Sequence, residues 1–293
     1  MTDGVQATTA APARVKRVVH TIHAVRDIDA CRMRYQDVLG GLVFAEGYFE
    51  PEDRDMALLY VGDHMVEPMA PRQPDDLGKP YSRYLARYGE GWHSFELRIA
   101  DCPDVAARLK ADGYTLASDY GMFFYVRPES TGGLLLEACD VSIPNDPYDR
   151  RNWRPDWAEG HASTVLRLDH IACVLNDAEA ARRLFTTYVD GEVLDDRRIS
   201  APQPARRVLL RLGGDDVALI QPDDPASGVL ADFIRPPTSG VYALVWAVED
   251  LGRAQAFFEE KGLRVTRENC VSGGFAIDPA DFQGARHEFV AAS

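Results

Sequence analysis

The chain is poor in the features that mark secreted, membrane-spanning or nucleic-acid-binding proteins. Its 293 residues include five cysteines, which lie far apart and form no Cys-x-x-Cys pair, so neither a disulfide framework nor a thiolate zinc site is indicated. No apolar run reaches the length of a signal-peptide core or a membrane span. The formal net charge of -14 argues against binding to nucleic acid or to an anionic membrane surface. We therefore expect a cytoplasmic protein.

The composition of the chain and the position of a proline-containing segment indicate two domains. Hydrophobic residues make up 46% of the chain, which is enough for packed cores. We expect a flexible tail over residues 1–14, which are rich in Ala and Thr, and a linker over residues 143–164, which contain Pro144, Pro147 and Pro155 and show neither helical nor strand periodicity. This division leaves an N-terminal domain at residues 15–142 and a C-terminal domain at residues 165–293.

Hydrophobic periodicity in the first domain predicts the same element order twice. A strand at residues 15–25 precedes a helix from Ile28 to about Leu39, with Asp27 as its cap, and strands at 42–44, 56–61 and 64–69 follow. From Trp92 a strand to Ile99, a helix from about Cys102 to Ala111 and three short strands repeat this β-α-β-β-β order. The second half restates the first at an offset of 150 positions, which pairs His20 with His170, Asp27 with Asp177 and Gly41 with Gly191. Such regularity indicates an internal duplication.

Polar residues interrupt the apolar faces of several predicted strands. In the alternating stretch from residue 91 to 99, His93 shares a predicted face with Phe95, Leu97 and Ile99. A buried imidazole needs a hydrogen-bond partner or a metal. Three other polar side chains are also predicted to point inward, namely His20 in the first strand, Glu67 between Met65 and Met69, and Glu137 between Leu135 and Cys139. The four residues together favour a metal site over a plain core.

These paired modules, with a histidine in the first strand and a glutamate in the last, resemble the vicinal oxygen chelate superfamily. That superfamily includes glyoxalase I, methylmalonyl-CoA epimerase, extradiol dioxygenases and bleomycin resistance proteins. Residues 66–71 and 82–93 are most similar to the epimerase branch. The resemblance implies an α+β fold of two tandem domains, each built of two β-α-β-β-β modules that form a cupped, barrel-like sheet. It also places His20, Glu67, His93 and Glu137 at the metal-ligand positions.

Two imidazoles and two carboxylates suit one divalent ion such as Zn, Co, Ni, Mn or Fe. A substrate that chelates the ion through adjacent oxygen atoms would be polarised, and an enediolate stabilised. We therefore expect a metal-dependent isomerase, epimerase or lyase that acts on a small molecule. Glu67 and Glu137 are the candidate catalytic residues. Glu52 is a weaker candidate, because it lies in a charged loop where epimerase-like members place a proton-abstracting glutamate, although a solvated loop is the simpler interpretation.

Two other functions remain open, as does a homodimeric state. One is an extradiol-type ring-cleaving dioxygenase with Fe, because such enzymes also carry four modules in a chain of about this length. If the modules exchanged partners, His93, Glu137 and His170 would come together as a set like that of iron oxygenases. A non-catalytic, resistance-type binding protein would need no metal. The C-terminal domain keeps His170 and Glu288, but Ala218 and Tyr242 replace Glu67 and His93 in it. We therefore expect its site to be degenerate and its role to be supporting.

Overall fold

The computed structural model describes residues 15–149, 160–235 and 238–292. The expected tail and Pro155 of the expected linker lie outside the described residues. Among these residues, the N-terminal half contains eight strands and three α-helices in the order β1 (Val15–Ala24), α1 (Ile28–Leu39), β2 (Leu42–Phe49), β3 (Arg54–Val61), β4 (His64–Pro71), α2 (Pro80–Tyr88), β5 (Gly91–Ile99), α3 (Cys102–Ala111), β6 (Leu116–Ala117), β7 (Phe123–Val126) and β8 (Leu136–Cys139).

The C-terminal half repeats this arrangement among its described residues. Its elements are β9 (Val165–Val174), α4 (Ala178–Tyr188), β10 (Glu192–Ile199), β11 (Ala205–Leu212), β12 (Asp215–Pro222), α5 (Val229–Ile234), β13 (Val241–Val248), α6 (Leu251–Glu260), β14 (Val265–Thr266), β15 (Phe275–Ile277) and β16 (His287–Ala291). Helices α2 and α5 occupy equivalent places in the two halves, which supports the internal duplication.

Local capping explains where the helices begin and end. Asp27 accepts a hydrogen bond from the backbone N–H of Ala30, and Gly40 ends α1 in the left-handed conformation with φ of 70°. Asp177 caps α4 in the same way. The predicted bounds of α1 and α3 are confirmed.

Strand β2 is longer than predicted, because its antiparallel pairing with β3 continues to the pair Phe49 and Arg54. The added residues include polar side chains that break the hydrophobic alternation.

The described strands of each half form one eight-stranded sheet. The order in the N-terminal sheet is β2-β3-β4-β1-β5-β8-β7-β6, and the C-terminal sheet follows the same order from β10 to β14. The first strands of the two modules in each half, β1 with β5 and β9 with β13, pair antiparallel. The first module thus shares its sheet with the second, so the exchanged pairing considered above is wrong for the described strands, and the tandem α+β fold is confirmed.

A β-bulge at His93 changes which side chains share a face. Ile22 pairs with Ser94 whereas the next residue, His23, pairs with Trp92, so His93 is the extra residue. Beyond the bulge the alternation is reversed, and Phe95 and Leu97 enter the main hydrophobic core. The prediction that His93 shares a face with Phe95, Leu97 and Ile99 is therefore wrong. The C-terminal sheet has the same irregularity between Val241 and Ala243, which places Tyr242 at the equivalent bulge.

The two halves share one hydrophobic core and a reciprocal pair of polar contacts. Phe95 of β5 stacks on Phe185 of α4 with ring centroids 6.3 Å apart. The side chain of Asp215 accepts a hydrogen bond of 2.9 Å from the backbone N–H of Val18, and Asp63 accepts one of 2.7 Å from Leu168 N–H. Among the helices of the described residues, none is long and apolar enough to cross a membrane.

Candidate metal centre

The inner face of the N-terminal sheet, defined as the face that carries His20 and Glu67, gathers four buried polar side chains on adjacent strands. His20 lies on β1, Glu67 on β4, Glu96 on β5 and Glu137 on β8. Their exposed fractions lie between 3% and 6%. The parallel register sets Glu96 directly opposite Glu137, and Glu67 opposite Ile22. Four neighbouring strands thus bring three carboxylates to one imidazole.

The imidazole of His20 is the centre of this cluster. Its Nε2 lies 2.9 Å from Oε2 of Glu67 and 4.0 Å from Oε2 of Glu137, and its Nδ1 lies 3.9 Å from Oε1 of Glu96. His20, Glu96 and Glu137 each offer one ligand atom such that all three atoms lie within 4.8 Å of one another. Within the described part of the chain, this is the one group of three His, Cys, Asp or Glu side chains with that geometry.

Several atoms of the cluster have no hydrogen-bond partner although they are buried. These atoms are Nδ1 of His20, Oε1 of Glu96 and Oε2 of Glu137, whereas Nε2 of His20 is in contact with Glu67. Burial, and then the neighbouring charge of Glu96, raise the pKa of Glu137 well above its ordinary value. Burial opposes protonation of His20, but Glu67 and Glu96 outweigh it, so the pKa of His20 is raised. The site therefore places acidic side chains around buried atoms that have no hydrogen-bond partner.

These residues fit a divalent cation. An unpartnered buried carboxylate costs several kcal/mol, and a cation among His20, Glu96 and Glu137 would engage their orphaned atoms. One imidazole with two or three carboxylates matches ions such as Mn, Fe, Co, Ni or Zn. Glu67 lies within reach of the same imidazole, so it is the available fourth oxygen ligand.

A buried arginine lies beside the cluster. Nε of Arg54 donates to Oε2 of Glu52 at 2.8 Å, and its Nη1 lies 3.4 Å from Oε1 of Glu67. Burial alone would raise the pKa of Glu67, but the charges of His20 and Arg54 lower it. Glu52 and Asp53 are only 1% and 2% exposed, so the expectation of a solvated loop is wrong at these two positions, whereas Glu50 is exposed. Arg54 supplies the countercharge that burial of Glu52 requires.

His93 also lies on the inner side of the sheet but is enclosed by aromatic rings. It stacks on Tyr81 with centroids 4.8 Å apart and meets Tyr84 and Tyr125 edge-on. Its Nδ1 lies 2.9 Å from Oγ of Ser94. Burial, with a smaller effect of Arg54, lowers the pKa of His93 to about 3, so the ring is neutral. Its predicted role as a metal ligand stays a prediction.

In the equivalent region of the C-terminal sheet, the retained histidine and glutamate have hydrogen-bond partners within the protein. Ala218 pairs with Ala172 as Glu67 pairs with Ile22. Nδ1 of His170 lies 2.7 Å from Oδ2 of Asp169. Glu288 accepts hydrogen bonds from Nε of Arg286 and from the backbone N–H groups of Val271 and Ser272. Because its retained carboxylate is fully partnered within the protein, this half has no comparable need for a cation.

Sequence reasoning missed Glu96 and Arg54. The signal for Glu96 was a carboxylate in the middle of an otherwise apolar strand, where a charge needs a partner. Unbroken alternation placed it away from His93, and the bulge reverses that assignment. The predicted strand begins at Met56 and leaves Arg54 outside it, whereas β3 begins at Arg54.

A comparison with protein-family models matches more than half of the chain. The family described as the glyoxalase/bleomycin resistance protein/dioxygenase superfamily matches residues 19–123 and again residues 169–278. The chain belongs to this superfamily. One matched range lies in each half of the chain, so this superfamily relationship extends to both halves. No curated protein matches the chain in the search.

Two solved enzyme structures are similar to this chain over nearly the full length of both proteins. A variant of 4-hydroxymandelate synthase from Streptomyces coelicolor is 17% identical, with 95% of this chain and 94% of that chain covered and a TM-score of 0.66. A 2,3-dioxygenase from a Pseudomonas species is 14% identical, with 97% of this chain and 94% of that chain covered and a TM-score of 0.59. Methylmalonyl-CoA epimerase from Mycobacterium tuberculosis is 23% identical over 46% of this chain and 95% of its own, with a TM-score of 0.40. The two full-length similarities show a shared fold.

Proposed function

We propose that the N-terminal domain is a metal-dependent enzyme that acts on a small molecule with adjacent oxygen atoms, as an isomerase, epimerase or lyase that works through an enediolate. The observation that carries this proposal is the set of buried, unpartnered atoms of His20, Glu96 and Glu137 within one ligand sphere. Glu67 supports it because its Oε2 lies 2.9 Å from Nε2 of the same imidazole, the nitrogen that also faces Glu137. A bound divalent cation would supply a Lewis acid for a substrate carbonyl group.

The protein's own residues would prepare this site in three ways. The strands fix His20, Glu96 and Glu137 at one place before any ligand arrives, which lowers the cost of binding. Arg54 holds Glu67 and Glu52 in place and balances their charge. The rings around His93 provide flat apolar walls, a lining typical of small-molecule sites.

We assign a supporting role to the C-terminal domain. It contributes core packing through Phe185 and hydrogen bonds through Asp215, while its own glutamate at position 288 is neutralised by Arg286. Glu52 remains a weak candidate for proton abstraction, because its carboxylate is engaged by Arg54.

Elemental analysis and oxygen uptake separate this function from the alternatives. Protein purified without chelator or added metal should contain one equivalent of a divalent metal, with no consumption of oxygen when catechols are added. Iron together with catechol-dependent oxygen uptake would indicate the dioxygenase instead. Purified protein that contains no metal and takes up none of Mn, Co, Ni, Zn or Fe on titration would indicate a binding protein and would contradict the proposal.

A further inference from the structure

A cleft of about 670 Å³ lies between the two halves of the chain. The N-terminal half contributes Tyr84, Arg87 and Arg127 to its lining, and the C-terminal half contributes Asn176, Arg235 and Thr238. The volume is that of a small-molecule site. Because both halves line it, the cleft exists only in the assembled full-length chain.

The cleft is unusually basic for this protein. Three arginines line it against one carboxylate, that of Glu129, in a chain whose formal net charge is -14. Arg87 and Arg127 are exposed, and among the described residues neither forms an ion pair with an acidic side chain. Arg235 shares its charge with Asp232 at 2.8 Å. The guanidinium groups of Arg87 and Arg127 are therefore available to an anion.

The walls of the cleft are held by hydrogen bonds that join the two halves. Leu135 N–H donates to the carbonyl of Ser239 at 2.8 Å, and Oγ of Ser239 donates to the carbonyl of Trp92 at 2.7 Å. Gly132 has φ of +70°, and a Cβ there would lie 2.1 Å from the carbonyl oxygen of Asp177. Only glycine allows this close approach. Fixed walls reduce the ordering cost of ligand binding.

The cleft shares two of its lining residues with the surroundings of the candidate metal centre. The ring of Tyr84 meets that of His93 with centroids 4.5 Å apart. Leu135 lies two positions before Glu137 and packs with Tyr125 on the inner side of the sheet. A ligand anchored in the cleft would therefore contact Tyr84, which packs on His93, and Leu135, which lies two positions before Glu137.

We propose that this cleft binds the anionic group of the substrate, so that the substrate is an acid whose carboxylate or phosphate group is bound by Arg87, Arg127 and Arg235. The planar, bidentate guanidinium group is the side chain best suited to both anions. This inference rests on the proposed function for the identity of the ligand as substrate, but the anion site itself requires no metal.

Isothermal titration calorimetry on the full-length protein at low ionic strength tests the site, with inorganic phosphate and malonate as separate probes. We expect one of the two to bind with a Kd below about 1 mM, and the stronger probe identifies the group. Arg127→Gln and Arg87→Gln should each weaken that binding by about tenfold. Arg253→Gln is the control, because it removes an equal charge from an exposed position on α6.

A further variant separates this site from the metal centre. Glu137→Gln should leave anion binding within about twofold of the wild type, even if it abolishes metal binding. Loss of anion binding in Glu137→Gln would mean that the anion sits on the metal, and it would overturn the cleft assignment. Absence of binding by both probes, or an equal loss in Arg253→Gln, would overturn it as well. Anion binding by a protein that takes up no metal would instead refute the proposed function and keep the cleft.

Discussion

Glu96 lies directly opposite Glu137 on the adjacent parallel strand, and each carboxylate has a buried oxygen without a hydrogen-bond partner. Two like charges that face each other across a sheet repel. The pKa of Glu137, which burial and then Glu96 raise well above its ordinary value, records the cost of this arrangement. A cation bound by His20 and both carboxylates would relieve this repulsion, and the relief would favour binding of the cation.

The first prediction concerns His93. We expect His93→Gln to lower metal affinity by less than about tenfold, because the ring packs on Tyr81 and Tyr84 and its Nδ1 is engaged with Ser94. His20→Gln should lower it by more than about 100-fold, since it removes the central ligand. Cobalt titration followed by visible absorption measures both. Equal losses in the two variants would place His93 among the ligands, as the family resemblance implies.

The second prediction concerns the buried countercharge. Arg54→Met leaves Glu52 and Glu67 without their shared partner, and such a loss in a buried network costs about 3–5 kcal/mol in the free energy of unfolding. Urea denaturation measures the change. The matched control is Arg72→Met, which removes an exposed arginine paired with Asp55 and should have a much smaller effect. If the two variants were equally stable, the buried network would contribute no more than the surface pair.

The third prediction concerns the contact between the halves. Burial raises the pKa of Asp215 from 3.8 to about 6, although its hydrogen bond from Val18 N–H opposes the shift. The folded protein therefore binds this proton more tightly than the unfolded chain. The contribution to the free energy of unfolding is largest below pH 3.8 and decreases as the pH rises to about 6, with a slope of at most about 1.4 kcal/mol per pH unit.

Asp215→Asn should remove this component of the pH dependence, because asparagine keeps the acceptor oxygen but cannot ionise. Urea denaturation at pH values from 4 to 7 measures the slope for both proteins. Asp216→Asn, which removes the adjacent carboxylate paired with Arg211, is the control. A slope that is unchanged in Asp215→Asn would contradict the assignment.

Much of the fold follows from local signals in the sequence. Asp27 and Gly40 determine where α1 begins and ends, and the offset between the halves predicts their equivalent elements. Sheet pairing does not follow in the same way, because it depends on contacts between strands that are distant in sequence. The position of β1 between β4 and β5 resolved the two module pairings that the sequence left open.

The site was predictable only in part, for a local reason. His20, Glu67 and Glu137 were placed on the inner face by simple alternation, although β1 has a register shift against β5 between Val18 and Thr21, where His20 lies. A bulge depends on tertiary packing and shifts the face of every residue beyond it, so Glu96 was assigned to the wrong side. The location of the Arg54 guanidinium between two carboxylates likewise depends on how β3 meets β4, which no local pattern specifies.

The measurement that tests the central claim most directly is the metal stoichiometry of three isosteric variants. We predict that the wild type binds one divalent metal per chain, and that Glu96→Gln and Glu137→Gln lose it while circular dichroism shows that both remain folded. Glu288→Gln, which alters the fully partnered carboxylate at the equivalent position, should keep a stoichiometry of one. Full metal occupancy in Glu96→Gln and Glu137→Gln, or its loss in Glu288→Gln alone, would contradict this account.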